Sequence, residues 1–215
     1  MTESDNTSTG VDSPCAGSDG ALTVEMTGGG LLIRRLALLF SGGVGVDVVS
    51  GCTVRELLCG QLGIAPDYVE GRLQTVFLNG KPVDDIDAAR AGAGDMLALS
   101  AAMPGLVGAT MRRGGRYAVL RQEISYTGEA DCHLNPEPIC LTLKLFNLIA
   151  SELAPVLLQR GVWIDGDRLA EHMTLIGSAV WDAVTGARID GAPAGQEALA
   201  LALRGRRVQL QVASP

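Results

Sequence analysis

One pattern is used twice in this chain, and it restricts the fold more than any other feature. Residues 76–99 read Val76-Phe77-Leu78-Asn79-Gly80-Lys81-Pro82, then an acidic stretch, then Gly94-Asp95 and Met96-Leu97-Ala98-Leu99. Residues 187–212 read Ala187-Arg188-Ile189-Asp190-Gly191-Ala192-Pro193, then Gly205-Arg206-Arg207 and Val208-Gln209-Leu210-Gln211-Val212. Each is a short strand, an Asn/Asp-Gly tight turn followed by proline, a connection of similar length and a final strand. A period of roughly 100 residues in a chain of 215 suits two small units better than one large domain.

The flanking residues extend the repeat. Leu22-Thr23-Val24-Glu25-Met26 alternates apolar and polar and predicts a strand. Gly28-Gly29-Gly30 breaks it, and residues 31–40 are apolar around Arg34-Arg35, a pattern that fits helix or strand equally. The β-branched run 44–49 predicts a second strand. Thr53-Val54-Arg55-Glu56 is a capping box, in which the Thr53 oxygen accepts from the Glu56 amide while Glu56 reaches back. Val54, Leu57, Leu58 and Leu62 follow at helical spacing up to Gly63. In the second unit Leu141-Thr142-Leu143-Lys144-Leu145 answers the first strand, and residues 146–158 form a helix bent at Pro155. Residues 161–166 answer the second strand, and Asp167 is expected to cap a helix running to about residue 184. Strand, crossover, strand, helix, strand, turn, strand is the order of a β-grasp, or ubiquitin-like, sheet. The expected fold class is therefore α+β: two tandem β-grasp units, each a mixed sheet with one main packing helix. The second core should hold Leu143, Leu145, Ile164, Leu169, Val180, Ile189, Leu210 and Val212.

Composition sets the boundaries around these units. Residues 1–21 hold Glu3, Asp5, Asp12 and Asp19 and no Lys or Arg, so −4 of the net −7 lies there and only −3 in the rest. That head is expected to be a disordered acidic tail, and it has neither the basic start nor the apolar centre of a signal peptide. The first unit is placed at 22–127, a polar linker with two prolines at 128–137, and the second, divergent unit at 138–215. Mild acidity argues against a nucleic-acid partner. The run 31–40 is too short to cross a bilayer. Five cysteines, an odd number, read as reduced thiols of a cytoplasmic protein.

Residues 53–105 resemble the sulfur-carrier β-grasp family, the small subunit of molybdopterin synthase and the thiamine sulfur carrier (MoaD/ThiS type). The resemblance is carried by Thr53-Val54-Arg55-Glu56-Leu57-Leu58, by Val76-Phe77-Leu78-Asn79-Gly80-Lys81-Pro82-Val83, by Asp84-Asp85, and by Gly94-Asp95 leading into the last strand. It implies a ubiquitin-like surface that docks on a partner enzyme of molybdenum or tungsten cofactor metabolism, or of sulfur transfer. The family's chemistry resides in a terminal Gly-Gly. At the matching place this chain has Pro104-Gly105-Leu106 and continues. A sulfur carrier, or its precursor, would require cleavage after Gly115.

No Ser/His/Asp or Cys/His set, Walker loop or dinucleotide motif is present, and no catalytic residue, metal or cofactor is expected. Asp131-Cys132-His133 with Cys140 has too few ligands for a zinc site. Asp84, Asp85 and Asp87 read as an acidic turn. The expected function is a non-enzymatic binding or adaptor protein. Self-association through a sheet edge, and a small-molecule site in the cleft between the units, are the alternatives. Partner contacts are placed on the segment joining the units, at Pro104, Gly105, Gly108, Arg112, Arg113, Gly114, Gly115 and Arg116. There glycine and charge exceed what a connecting loop requires. Residues 103–108 are expected to be a loop, 112–116 a solvated turn, and 117–126 a strand.

Overall fold

The computed structural model describes residues 20–126, 136–177 and 181–214. Within them the chain is α+β. Ten strands form one mixed sheet: β1 Leu22–Gly28, β2 Val44–Val49, β3 Thr75–Leu78, β4 Lys81–Pro82, β5 Met96–Ser100, β6 Pro138–Leu145, β7 Val162–Asp165, β8 Val184–Ile189, β9 Ala192–Pro193 and β10 Arg207–Ala213. The helices are α1 Gly30–Leu36, α2 Leu39–Gly42, α3 Val54–Glu56 continuing as a π turn Leu57–Gln61, α4 Pro66–Gly71, α5 Gly105–Met111, α6 Asn147–Arg160, α7 Gly166–Leu175 and α8 Gln196–Ala202. A 3₁₀ helix spans Ala118–Ile124.

Alternation decides which face of the sheet is covered. Leu22, Val24 and Met26 of β1, Val44, Val46 and Val48 of β2, Leu141, Leu143 and Leu145 of β6, and Val208, Leu210 and Val212 of β10 are all buried. Successive side chains of a strand point to opposite faces, so these residues line one side. Against that side pack α1, α2 and α6, with α6 reaching both β5 and β10. The capping box forms as the sequence dictates: Glu56 N–H donates to Thr53 Oγ1 (3.2 Å) and Thr53 N–H to Glu56 Oε2 (2.8 Å). It starts the helix that buries Val54, Leu57, Leu58 and Leu62. Burying a leucine side chain contributes about 1.5–3 kcal/mol, so this short helix is held by its apolar face rather than by its length.

The strand order is β4-β3-β5-β6-β2-β7-β10-β1-β8-β9. Each half of the sheet carries the repeat, with a difference in who fills it. Beside β5, in parallel, lies β6, the first strand of the second sequence half; beside β10, in parallel, lies β1, the first strand of the first half. Self-contained units at 22–127 and 138–215 would each keep their own first strand, whereas here β6 lies between β5 and β2, and β1 lies between β10 and β8. The two tight turns show the placement. Asn79-Gly80 (φ 51° and 77°) and Asp190-Gly191 (φ 47° and 80°) both lie in the left-handed region, as hairpin turns of the mirror type require. Asn79 Oδ1 accepts from Met96 N–H of β5 (2.9 Å). Its counterpart Asp190 Oδ1 accepts from Thr23 N–H of β1 (2.9 Å), because β1 occupies the place beside β8 that β5 occupies beside β3.

The halves meet where Gly45 of β2 pairs with Trp163 of β7. Trp163 Nε1 donates to Asp47 Oδ2 (2.7 Å), and the Arg207 guanidinium lies over the indole at 4.1 Å. Such a stack contributes about 0.5–1 kcal/mol at an exposed site.

Several expectations change. Residues 31–40 are helical, as α1 and α2. The second helix is capped by Asp165, whose Oδ1 accepts from Arg168 N–H (2.8 Å), and it ends at Leu175. The helices α4 and α8 were not foreseen, although Pro66 at the first position of α4 is a start signal. Ile189 is half-buried, Val180 lies outside the described residues, and the other expected core positions are buried. Cys140 is disulfide-bonded, so the cysteines are not all reduced thiols, while Cys52 and Cys59 are free. Cys132 and His133 lie outside the described residues.

Candidate docking surface on the connecting strap

The joining segment is not a loop and a strand. Residues 103–126 form α5, a turn and the 3₁₀ helix Ala118–Ile124, a strap packed at the β3–β4 end of the sheet. Residues 117–126 misled because alternation and a one-sided 3₁₀ helix place apolar residues alike over so short a run. Gly108 is buried, and a Cβ there would meet the Met103 carbonyl oxygen at 2.1 Å, so only glycine lets α5 fold back on its own entry. Gly114 turns the chain at φ 60°. Gly115 N–H donates to Arg112 O (3.1 Å) and continues that turn. Three of the glycines singled out from the sequence are thus accounted for by the path of the backbone.

The polar groups of the strap are turned inward. Arg113 N–H donates to Gln74 O (2.7 Å) just before β3, and Tyr126 N–H to Pro82 O (2.8 Å) of β4. The Arg121 side chain is 2% exposed; its guanidinium donates to Asp84 Oδ1 (2.6 Å), Thr110 O (2.5 Å) and Ser125 Oγ (2.7 Å). Arg113 donates to Val69 O (3.1 Å) and meets Glu70 (3.3 Å). Glu70 also pairs with Arg55, and Arg55 with Asp87 (2.5 Å each). That guanidinium holds the Asp87 carboxyl below the usual carboxylate range. Asp84 additionally accepts from Gly114 N–H (3.3 Å), and Asp85 Oδ1 from the Asp87 and Ala88 amides (2.9 and 3.1 Å). The acidic cluster is therefore spoken for by the fold. It has the partners of a structural turn, not those of a carboxylate pair poised for proton transfer.

The apolar groups of the strap are turned outward. Leu106 and Val107 of α5, with Tyr117, Val119, Leu120 and Ile124 around the 3₁₀ helix, are 46–73% exposed. The two elements pack on each other, so these residues share one region of surface. Arg112 and Arg116 are exposed beside them. Arg112 Nε donates to Gln74 Oε1. Of the eight residues expected to make contacts, Arg112 and Arg116 are on this surface, Arg113 is folded inward, and Gly108, Gly114 and Gly115 shape the strap. Pro104 precedes the first turn of α5 and Gly105 opens it. Sequence reading missed the apolar residues themselves, because periodicity reports which residues share a face but not whether that face is covered.

Two other places have the shape of a site. A cavity of about 230 Å³ lies between α2 and α7, lined by Leu38, Ser41, Gly42, Arg168, Glu171 and His172. Arg168 donates to the carbonyls of Leu39, the first residue of α2, and of Gly43, just past its end. Gly42 makes room for it, since a Cβ there would meet Arg168 Nη2 at 2.4 Å. His172 Nε2 lies 2.9 Å from Arg35 O, and burial pushes its pKa down. These groups clamp the two sequence halves together. A second cavity of about 220 Å³ lies between α7 and α8, beside Met173, Trp181 and Leu203. Among the described residues no group of three or more His, Cys, Asp or Glu is arranged to hold a metal ion, and no helix is long and apolar enough to cross a membrane.

No protein-family model matches this chain, and neither curated proteins nor solved structures give a match.

Proposed function

We propose that this chain is a non-enzymatic binding module that docks on a partner protein through the outer face of the strap at 104–124. The observation that carries the reading is the inverted polarity of that segment. A buried arginine, held by the half-exposed Asp84, faces the protein, while six large apolar side chains face water. Large apolar side chains left exposed on two packed elements are the material from which interaction sites are made. Docking by strand addition is the weaker route. Each edge strand, β4 and β9, is two residues long and contains proline, Pro82 or Pro193, which offers no N–H to a new neighbour.

The two ends of the sheet are taken as divergent β-grasp units, each completed by a strand from the other sequence half, with β1 beside β8 at the position that β5 holds beside β3. The resemblance of residues 53–105 to sulfur carriers puts enzymes of molybdenum or tungsten cofactor metabolism and of sulfur transfer first among the partners to test.

The test compares the wild-type chain with Leu106→Ser/Val107→Ser/Leu120→Ser as bait in native lysate, alongside purified candidate enzymes. The variant should melt where the wild type does and lose its captured partner. A wild type that captures nothing, or a variant that captures equally well, overturns the reading.

A further inference from the structure

We infer that the occupant of the strap is an acidic amphipathic segment: an apolar ridge flanked by Asp or Glu side chains that pair with Arg112 and Arg116. This rests on the docking reading above and adds the chemistry of the partner.

The charge pattern beside the apolar surface is the basis. Among the described residues, the carboxylates near the strap have partners within the chain: Asp84 with Arg121, and Glu70 with Arg113 and Arg55. Arg112 and Arg116 differ. Both are exposed, and among the described residues neither is in an ion pair; Arg112 is bonded through Nε to the neutral Gln74 amide. Two guanidinium groups with no ion-pair partner among the described residues therefore border an apolar surface on a chain whose net charge is −7. That net charge does not cancel the local preference. Screening confines charge effects to about 8 Å at physiological salt, so groups at the patch outweigh distant ones. An apolar ridge seated on Leu106, Val107 and Leu120 also excludes water from the adjoining pairs, and lower local polarity strengthens each arginine–carboxylate contact. Guanidinium is suited to the task because its fork meets a carboxylate with two parallel hydrogen bonds. An anionic membrane would call for the same signs, but lipid-binding surfaces gather about 4–8 basic residues, and two on an acidic protein fall short.

The test uses labelled synthetic peptides of about 18 residues, long enough to form an amphipathic helix. One carries a leucine stripe with Glu elsewhere, the second the same stripe with Lys, and the third Ser in place of the stripe with Glu retained. Binding to the full chain is read by fluorescence anisotropy at physiological salt. The Glu peptide should bind about fivefold more tightly than the Lys peptide, the effect of two exposed ion pairs. The serine-stripe peptide should not bind. Arg112→Ser/Arg116→Ser should erase the preference for Glu with the melting temperature unchanged, and Leu106→Ser/Leu120→Ser should abolish binding. Equal affinity for the Glu and Lys peptides, no binding of either, or binding to phosphatidylserine vesicles in preference to the Glu peptide each overturns the inference. So does a dimer in sedimentation that Leu120→Glu converts to monomer, since the occupant would then be a second copy. These outcomes leave the docking reading standing, because lysate capture by the wild type and its serine variant judges that separately.

Discussion

The helix-covered face of the sheet and the strap use the same kinds of residue in opposite orientations. Under the helices Leu58, Leu97, Leu143 and Leu210 are turned inward and buried. On the strap Leu106, Val107 and Leu120 are turned out, and the inward position is taken by Arg121 against Asp84. Burial of the core leucines follows from folding alone, since removing apolar surface from water drives it. Outward leucines on a segment anchored by a charged pair do not follow from folding. The contrast separates residues kept for the fold from residues available to something outside it.

The largest effect that would break this contrast lies in the core. Leu58→Ala removes a fully buried side chain from the capped helix and should lower stability by about 2–5 kcal/mol in urea unfolding. A loss below about 1 kcal/mol would mean that the covered face is packed no better than the strap. Next comes the anchor. Arg121→Met leaves Asp84 without its partner. The expected loss is about 2 kcal/mol, less than the 3–5 of a fully buried pair, because the Asp84 carboxylate is 41% exposed. Hydrogen exchange should show the loss confined to 103–126. If protection falls equally across β1, β6 and β10, the strap is part of the core and the contrast dissolves. The smallest effect sharpens it most. Leu120→Ser, at 73% exposure, should change the melting temperature by no more than the equivalent of about 0.5 kcal/mol, although it removes as many carbon atoms as a core change does. A core-sized loss there would show that Leu120 is already packed.

How far the sequence carries depends on the range of the signal. The capping box at Thr53–Glu56 and the two left-handed turns at Asn79-Gly80 and Asp190-Gly191 are set by residues within a few positions of one another, and they form as read. Alternation in 22–26 and 141–145 correctly gives strands with one buried face. It carries no information about the neighbour, because a strand of that pattern satisfies its backbone equally beside β5 or beside β10. The pairing of β6 with β5 and of β1 with β10 was for that reason invisible. On the strap, the excess of glycine and arginine at 104–116 marked an unusual connection, and Gly108 and Gly114 do shape its path. Its character was not readable: the arginine that anchors it, Arg121, sat in a run taken for a strand, and the exposed leucines look in sequence like core.

The pairing of β1 with β8 and β10 also sets a timetable for synthesis. Residues 22–28 leave the ribosome early, yet the neighbours of β1 are β8 and β10, the latter at 207–213, so the strand waits for about 180 further residues before its edges are paired. Residues 75–100 wait less, until β6 emerges at 138–145. The two edges that β10 fills, those of β1 and β7, therefore close only after elongation has passed residue 213. Contacts so distant in sequence are the slow ones to form. Until their partners emerge, the edge of β5 and, for longer, the whole of β1 stand open to chaperones and to other nascent copies of the same chain.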